Sequence, residues 1–549
     1  SMLMERLILQ LRLLVAVLLR LKQTVRTLLL LDRNMRTVFP IYDGAHQSVD
    51  KAVLDSECVN LQAYSPIATG AASRTSLVPT PGLTTFLTGS ISPFVGYVFK
   101  NELYVILRGF PDDYLYKIDK NGAETLIGSL GSSVRTSRNF PQFASNGELL
   151  YILFPEDSGY FYDPDTGLSQ NVDVVYQGYE AEDTGVISVT SGDGYFIFCT
   201  TKTVFNSGLV TDVDKGKSFD ALDFASAEYS DDDNVRVAWL KGELRIFGSA
   251  TMETWANVGG TDFPFQRIDG ATIEKGLKYP NTLQEVDNSF VWVGSGKNES
   301  LAVWRATGGG GTQKLSNEYV DALLINTTLD ADDAYDSQGF AYSYDGNTVY
   351  GFSIAIQDSV FTQSDATLCT DLSEGARVGR MSWRQNYTAD SQNPSLKIIP
   401  YSAWSVGNCV ICYNRVIFNG RYELNSSVFS EKDAKVFRRF TSSYLQAEGD
   451  DVYVSRVELR MKNAVGEATA SDDIDRNPTV LMEVSDDQGR TWKDFGSRNI
   501  GRAVNTRTQV VWNRGCGRSP NYRLFRFTTN NSVEMVFLDL VLDIERASH

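Results

Sequence analysis

Between residue 93 and about residue 437 one unit recurs, and its period constrains the fold more than any other feature of the chain. Each unit has a tight turn, a short apolar strand, a loop, and a second strand rich in aromatic residues. The residue before the apolar strand marks the register: Glu102, Glu148, Gly194, Glu243 and Ser289, separated by 46, 46, 49 and 46 residues. The second strand starts at Tyr114, Gly159, Thr203, Met252 and Ser300, offset from its marker by 12, 11, 9, 9 and 11. Two more markers, Asn347 and Asn408, follow at 58 and 61. Runs of Val, Ile, Tyr, Phe and Trp broken by Gly, Asn and Asp are strands joined by turns. A period near 46 with four strands per unit predicts β-propeller blades, whose radial packing protects strand edges. Six or seven blades fit the span. The competing arrangement, a stack of β-sandwiches, predicts no constant offset between first and second strands.

After residue 437 the strands lengthen and alternate, as in Val452-Tyr-Val-Ser-Arg-Val-Glu-Leu-Arg460 and Val533-Glu-Met-Val-Phe-Leu-Asp-Leu540. This predicts a C-terminal antiparallel β-sandwich over 438–549. Inside it, Ser485-Asp-Asp-Gln-Gly-Arg-Thr-Trp492 fits the Asp-box pattern, a hairpin in which Asp and Gly accept the turn and Trp is expected to cap the core. Residues 35–92 read as an arm of irregular and β segments leading into the propeller at 93–437. The fold class is therefore all-β.

Residues 1–34 differ from everything after them. Six cations, Arg6, Arg12, Arg20, Lys22, Arg26 and Arg33, face only Glu5 and Asp32, giving +4. Leu, Arg and Lys without Gly or Pro predict a helical extension. The longest uncharged stretch, Leu13 to Leu19, falls far short of the roughly 20 residues of a membrane span. No small-residue cleavage site follows a clear apolar core. Partner docking, an interfacial amphipathic helix and an extension upstream of Met35 are the three readings of this segment.

Charge and side-chain chemistry then narrow the function. With 51 Lys plus Arg against 68 Asp plus Glu the net charge is −17, and the chain beyond residue 34 carries −21 (−17 less +4). Such a balance argues against a main surface that embraces nucleic acid, since phosphate neutralisation needs clustered cations. Only His46 and His549 are histidine, so a Ser-His-Asp triad or a multi-histidine zinc site has almost nothing to build with. The six cysteines, Cys58, Cys199, Cys369, Cys409, Cys412 and Cys516, are scattered and read as reduced thiols. Cys409 and Cys412 form a CxxC, but a strand period of two points them to opposite faces. Phosphate-loop and dinucleotide fingerprints are absent, and Gly308 to Gly311 reads as a turn. No cofactor and no catalytic constellation is expected.

The run from Phe247 to Gly276, with Glu253, Trp255, Asp262, Phe263, Pro264, Phe265 and Gly270, resembles the central signature of the packaged-DNA stabilisation proteins of short-tailed bacteriophages, the tail accessory or hub family. It continues into Val286-Asp-Asn-Ser-Phe-Val-Trp-Val-Gly294. Cys58-Val-Asn60 with Pro79-Thr-Pro-Gly-Leu83, and Val511-Trp-Asn-Arg-Gly-Cys-Gly-Arg518 with Tyr522-Arg-Leu-Phe-Arg-Phe527, agree in the right order. The similarity spans about residues 36 to 546. Residues 1–34 depart from it, and Met35-Arg-Thr-Val-Phe-Pro resembles the family's usual opening.

The resemblance implies a virion structural protein of the tail, assembled in the host bacterial cytoplasm, and not an enzyme. It implies a ring, generally a hexamer, beneath the portal and its adaptor. That ring continues the DNA channel without sequence-specific binding, retains packaged DNA until genome ejection, and supports a needle or plug and sometimes tailspikes. Within it the residues from Glu253 to Gly270 are structural or interface residues, with Trp255 and Phe-Pro-Phe expected to fill space between blades. An acidic wall would let DNA pass without sticking. The alternative is a glycan-binding or glycan-cleaving, sialidase-like propeller, suggested by the Asp box, 26 Tyr and 8 Trp. Several boxes at matching blade positions would favour it; one is present, outside the blades.

Overall fold

The structure, a computed structural model, describes residues 35–39, 41, 57–64, 75–87, 93–108, 111–119, 123–132, 140–181, 185–211, 213–227, 229–307, 310–325, 337–344, 346–356, 364–373, 375, 383–385, 400–406, 409–414, 421–431, 434–443, 445, 452–468, 473–519 and 523–546. The helical expectation for residues 1–34 lies outside them, as do both histidines. No described helix is long and apolar enough to cross a membrane.

The repeat becomes seven antiparallel four-stranded arrays. Blades 1 to 5 are contiguous, over residues 93–132, 142–170, 188–226, 234–267 and 284–314. Blade 6 is built from Gln338–Tyr344, Asn347–Ile356, Ser364–Asp371 and Trp383–Gln385. Blade 7 takes Pro400–Val406, Cys409–Asn414 and Arg421–Asn425 from the end of the propeller, and its fourth strand, Gly82–Leu87, from before blade 1. The first strand of blade 7 packs against those of blades 6 and 1, so the ring is closed. The marked apolar strand is the second strand of every blade, and the aromatic strand is the third.

Strand alternation explains why these runs are apolar without interruption. In blade 2 the second strand, Leu150–Phe154, is buried at every position. Leu150, Ile152 and Phe154 join the core shared with blade 1, whereas Tyr151 and Leu153 join the core shared with blade 3. Successive side chains point to opposite faces, and in a propeller each face meets a neighbouring blade. Blades 3 to 5 repeat the device: Phe196 and Phe198 face blade 2 while Ile197 and Cys199 face blade 4, and Phe290 and Trp292 face blade 4 while Val291 and Val293 face blade 6.

The sandwich is two sheets around one core. One sheet orders Leu61–Tyr64, Ser76–Pro79, Phe537–Arg546, Val452–Met461 and Val510–Ser519, with Met35–Phe39 also paired to Phe537–Arg546. The other orders Cys58–Val59, Arg438–Thr441, Leu524–Thr529, Thr479–Ser485 and Lys493–Asn499. Leu61, Leu77, Phe440, Val457, Trp512 and Phe525 meet between them. The arm at 35–92 thus contributes strands to both domains. It also joins them, since Val59 pairs in parallel with Gln385 of blade 6 and makes one continuous nine-stranded sheet. Beside this seam the Gln62 amide donates to Asp371 at 2.5 Å.

Candidate functional site

Blade 4 carries most of the signature residues. Its third strand, Met252–Asn257, alternates between two interfaces: Met252 faces blade 5, while Trp255 enters the core shared with blade 3. Glu253 lies two residues before Trp255 on the same face and is buried. One of its carboxylate oxygens accepts the Trp255 indole N–H at 2.9 Å, and the other accepts the Tyr229 amide at 2.9 Å. Phe263 packs edge-on against Trp255 and Phe265, with centroids 6.1 and 5.5 Å apart. Phe265 also meets Tyr195 of blade 3 and Trp239 of blade 4. Pro264 is buried between the two phenylalanines, and its carbonyl accepts the Val258 amide at 2.9 Å. Five signature residues therefore converge on one interblade seam. Asp262 is exposed nearby, and Gly270 occupies a turn at φ +79° with open space where a side chain would stand.

The Asp box forms the turn between Thr479–Ser485 and Lys493–Asn499. Ser485 donates to Asp487 at 2.8 Å, and Asp487 accepts the Thr491 amide at 2.8 Å and its hydroxyl at 2.5 Å. The Thr491 hydroxyl and amide, with smaller help from Ser485 and Arg490, hold the Asp487 carboxyl down at about 2. A carboxylate so committed is no proton donor near neutral pH. The expectation that Trp492 caps the core is corrected: it is partly exposed and lies 3.9 Å from the Arg526 guanidinium, which Glu483 grips with two 2.8 Å bonds. The sandwich core is already filled by Trp512, Phe525 and Phe527, and the box sits at the edge of the sheet.

On the propeller axis, the inner strands of blades 1 to 6 enclose a cavity of about 470 Å³. Polar side chains link the blades around it. Ser188 donates to Gln142 at 2.8 Å, Gln142 donates to the Ile187 carbonyl at 3.0 Å, and the Val237 amide donates to Ser188 at 3.2 Å, joining blades 2, 3 and 4. Arg236 of blade 4 donates to the Pro280 carbonyl at 2.7 Å, ahead of blade 5. The Tyr350 hydroxyl of blade 6 closes on the Thr282 carbonyl at 3.0 Å. Burial lowers the Arg236 guanidinium to about 10, opposed by the Cys199 sulfur. Burial raises Glu285, and it raises Tyr97, to which the Glu285 charge adds. Sequence reasoning missed Arg236, although a cation inside the apolar strand Asn234–Leu240 is a signal.

Among the described residues no group of three or more His, Cys, Asp or Glu could hold a metal. Cys58, Cys199, Cys369 and Cys516 are buried thiols outside any disulfide; the strand Cys409–Asn414 holds the CxxC, whose side chains lie outside those described.

No curated protein matches the chain. Among solved structures, a chain of the active polycomb repressive complex 2 in the basal state is 10% identical at TM-score 0.35, covering 63% of this chain and 97% of that one. The WD40 domain of Toxoplasma gondii coronin is 8% identical at TM-score 0.32, over 70% and 87% of the two chains. A glycoside hydrolase is 10% identical at TM-score 0.24, over 84% and 99%. Likenesses this distant carry no functional argument. Two family matches do: residues 37–378 match the family described as bacteriophage P22 Gp10, beta-propeller, and residues 437–545 the one described as bacteriophage P22 Gp10, beta-sandwich. With both domains matched in order and the geometry of each in place, the chain belongs to the bacteriophage P22 Gp10 family of phage structural proteins.

Proposed function

We propose that the chain is a tail hub, a subunit of a hexameric ring beneath the portal and adaptor that continues the DNA channel, helps retain the packaged genome and supports the distal tail parts. The observation that carries this reading is the pair of family matches, which together take in the propeller and the sandwich. The fold is compatible with it. Propeller and sandwich are stitched through Val59, Gln385 and Gly82–Leu87, which gives a stiff subunit, and a ring needs two complementary patches on each copy. A 470 Å³ axial cavity is of small-molecule size, whereas the major groove of a duplex is alone about 12 Å wide. In this reading the DNA path therefore runs between subunits, not through the propeller. The net charge of −17 suits a wall that repels DNA.

Light scattering of the full-length protein, alone and mixed with a portal–adaptor complex of the same virus, tests the reading. A monomer that becomes a six-fold ring on that template is the expected result. A protein that stays monomeric and ignores the portal sinks it, and a lumen found to be mainly basic in an assembled ring removes the charge argument.

A further inference from the structure

The axial cavity has a chemistry that the hub reading leaves unused. The Arg236 guanidinium lines it and makes one hydrogen bond, from Nη1 to the Pro280 carbonyl. A guanidinium presents five N–H donors, so most of its capacity is open. No carboxylate among the described residues makes a hydrogen bond or ion pair with it. Glu285 lines the same cavity, and its charge helps raise Tyr97 of blade 1. Thr190 and Gln284 also line the space, and neither side chain has a hydrogen-bond partner among the described residues. Arg236 is partly buried, and an anion beside it would offset the water its guanidinium has lost.

We propose that this cavity is a binding site for one small oxyanion, a carboxylate or a phosphate, held by the guanidinium of Arg236 with Thr190 and Gln284 as neutral hydrogen-bond partners. The planar guanidinium fork matches the paired oxygens of either group. The volume of about 470 Å³ lies within the 300–1,000 Å³ range of small-ligand pockets. Glu285 sets an electrostatic limit, since its carboxylate disfavours a second negative charge on the ligand. Occupancy would clamp blades 4 and 5 at the centre of the ring, where Arg236 already bridges them.

Isothermal titration of the full-length protein with inorganic phosphate, with acetate and with neutral acetamide tests this directly, with Trp239 fluorescence as a second readout because that residue lines the cavity. At least one of the two anions should bind and acetamide should not; which anion binds tells the two sources apart. Arg236→Gln should weaken binding about tenfold or more, the loss expected for charge-assisted bonds. Glu285→Gln, at an exposed position that folding tolerates, should tighten it several-fold. If Arg236→Gln fails to fold, the Glu285→Gln arm still decides. Absence of binding by both anions at about 10 mM, or an affinity that Glu285→Gln leaves unchanged, overturns the proposal. The result is independent of whether the chain forms a hub.

Discussion

The indole N–H of Trp255 donates to the carboxylate of Glu253 at 2.9 Å, so a buried charge is held by the ring that fills the seam between blades 3 and 4. Trp255→Ala empties that seam and should cost about 3–5 kcal/mol. Trp255→Phe keeps most of the volume but leaves the Glu253 carboxylate with the Tyr229 amide as its remaining hydrogen-bond partner among the described residues, and should cost about 1–3 kcal/mol. Urea unfolding of both variants checks the order. A Trp255→Ala protein as stable as the parent that fails to form a ring would assign these residues to an interface instead.

Gly82 begins the strand that completes blade 7, and its amide donates to the Val428 carbonyl at 2.8 Å. A Cβ at this position would stand 2.4 Å from the carbonyl oxygens of Val428 and Ser430, both backbone atoms. Gly82→Ala should therefore push the closing strand away and cost about 1–3 kcal/mol, the range for overpacking. Limited proteolysis should then cut the arm faster than in the parent protein. Unchanged cleavage and an unchanged unfolding midpoint would show that the backbone yields at no cost.

Asp163 of blade 2 is buried and receives Lys215 of blade 3 at 3.0 Å and Lys217 at 3.5 Å. Burial pushes its carboxyl up, but the Asp165 amide and the Lys215 ammonium outweigh that and bring it to about 2 from 3.8. The folded state then holds the proton less tightly than the unfolded state. Its stabilisation is present above about pH 4 and is lost as pH falls toward 2. Asp163→Asn should be less stable than the parent by about 2 kcal/mol at pH 7, with the two curves converging near pH 2. Thermal melts across pH 2 to 7 measure the convergence.

Glu180 ends the helix Val174–Glu180 and has the opposite sign. Burial raises its carboxyl to about 7, against the pull of the Tyr176 hydroxyl and the Gln177 amide, which donates at 2.8 Å. The folded state favours the protonated form, so this contribution is present below pH 4.5 and is lost as pH rises through 7. Glu180→Gln should match the parent at pH 4 and exceed it by about 1–2 kcal/mol at pH 8, a figure discounted for partial solvent exposure. Equal melting temperatures at pH 8 would contradict it.

The blade repeat was legible because it is local. A strand buried on both faces must be apolar at consecutive positions, and Leu150–Phe154 and Ser289–Gly294 show that pattern without any knowledge of their partners. The signature residues were legible as a group for the same reason, since Glu253 to Phe265 lie within one hairpin. Trp492 was misplaced because the box pattern reports a turn and says nothing about which face of the sheet the next residue covers. Arg236 was passed over because its neighbours around the axis, Thr190 on one side and Pro280 and Gln284 on the other, come from two distant parts of the chain.

From the sequence by itself follow the all-β class, the period of the blades, the separate C-terminal sandwich and the family resemblance, all of which rest on spacing and alternation along the chain. Only the tertiary structure decided that there are seven blades, that Gly82–Leu87 completes the last of them, and that Cys58–Val59 and Met35–Phe39 belong to the sandwich sheets. Those pairings join residues hundreds of positions apart, as Gly82 with Asn425 and Met35 with Ile544. A strand edge carries no address for its partner: backbone N–H and C=O groups are alike at every residue, so the choice is made by the shape of the whole assembly.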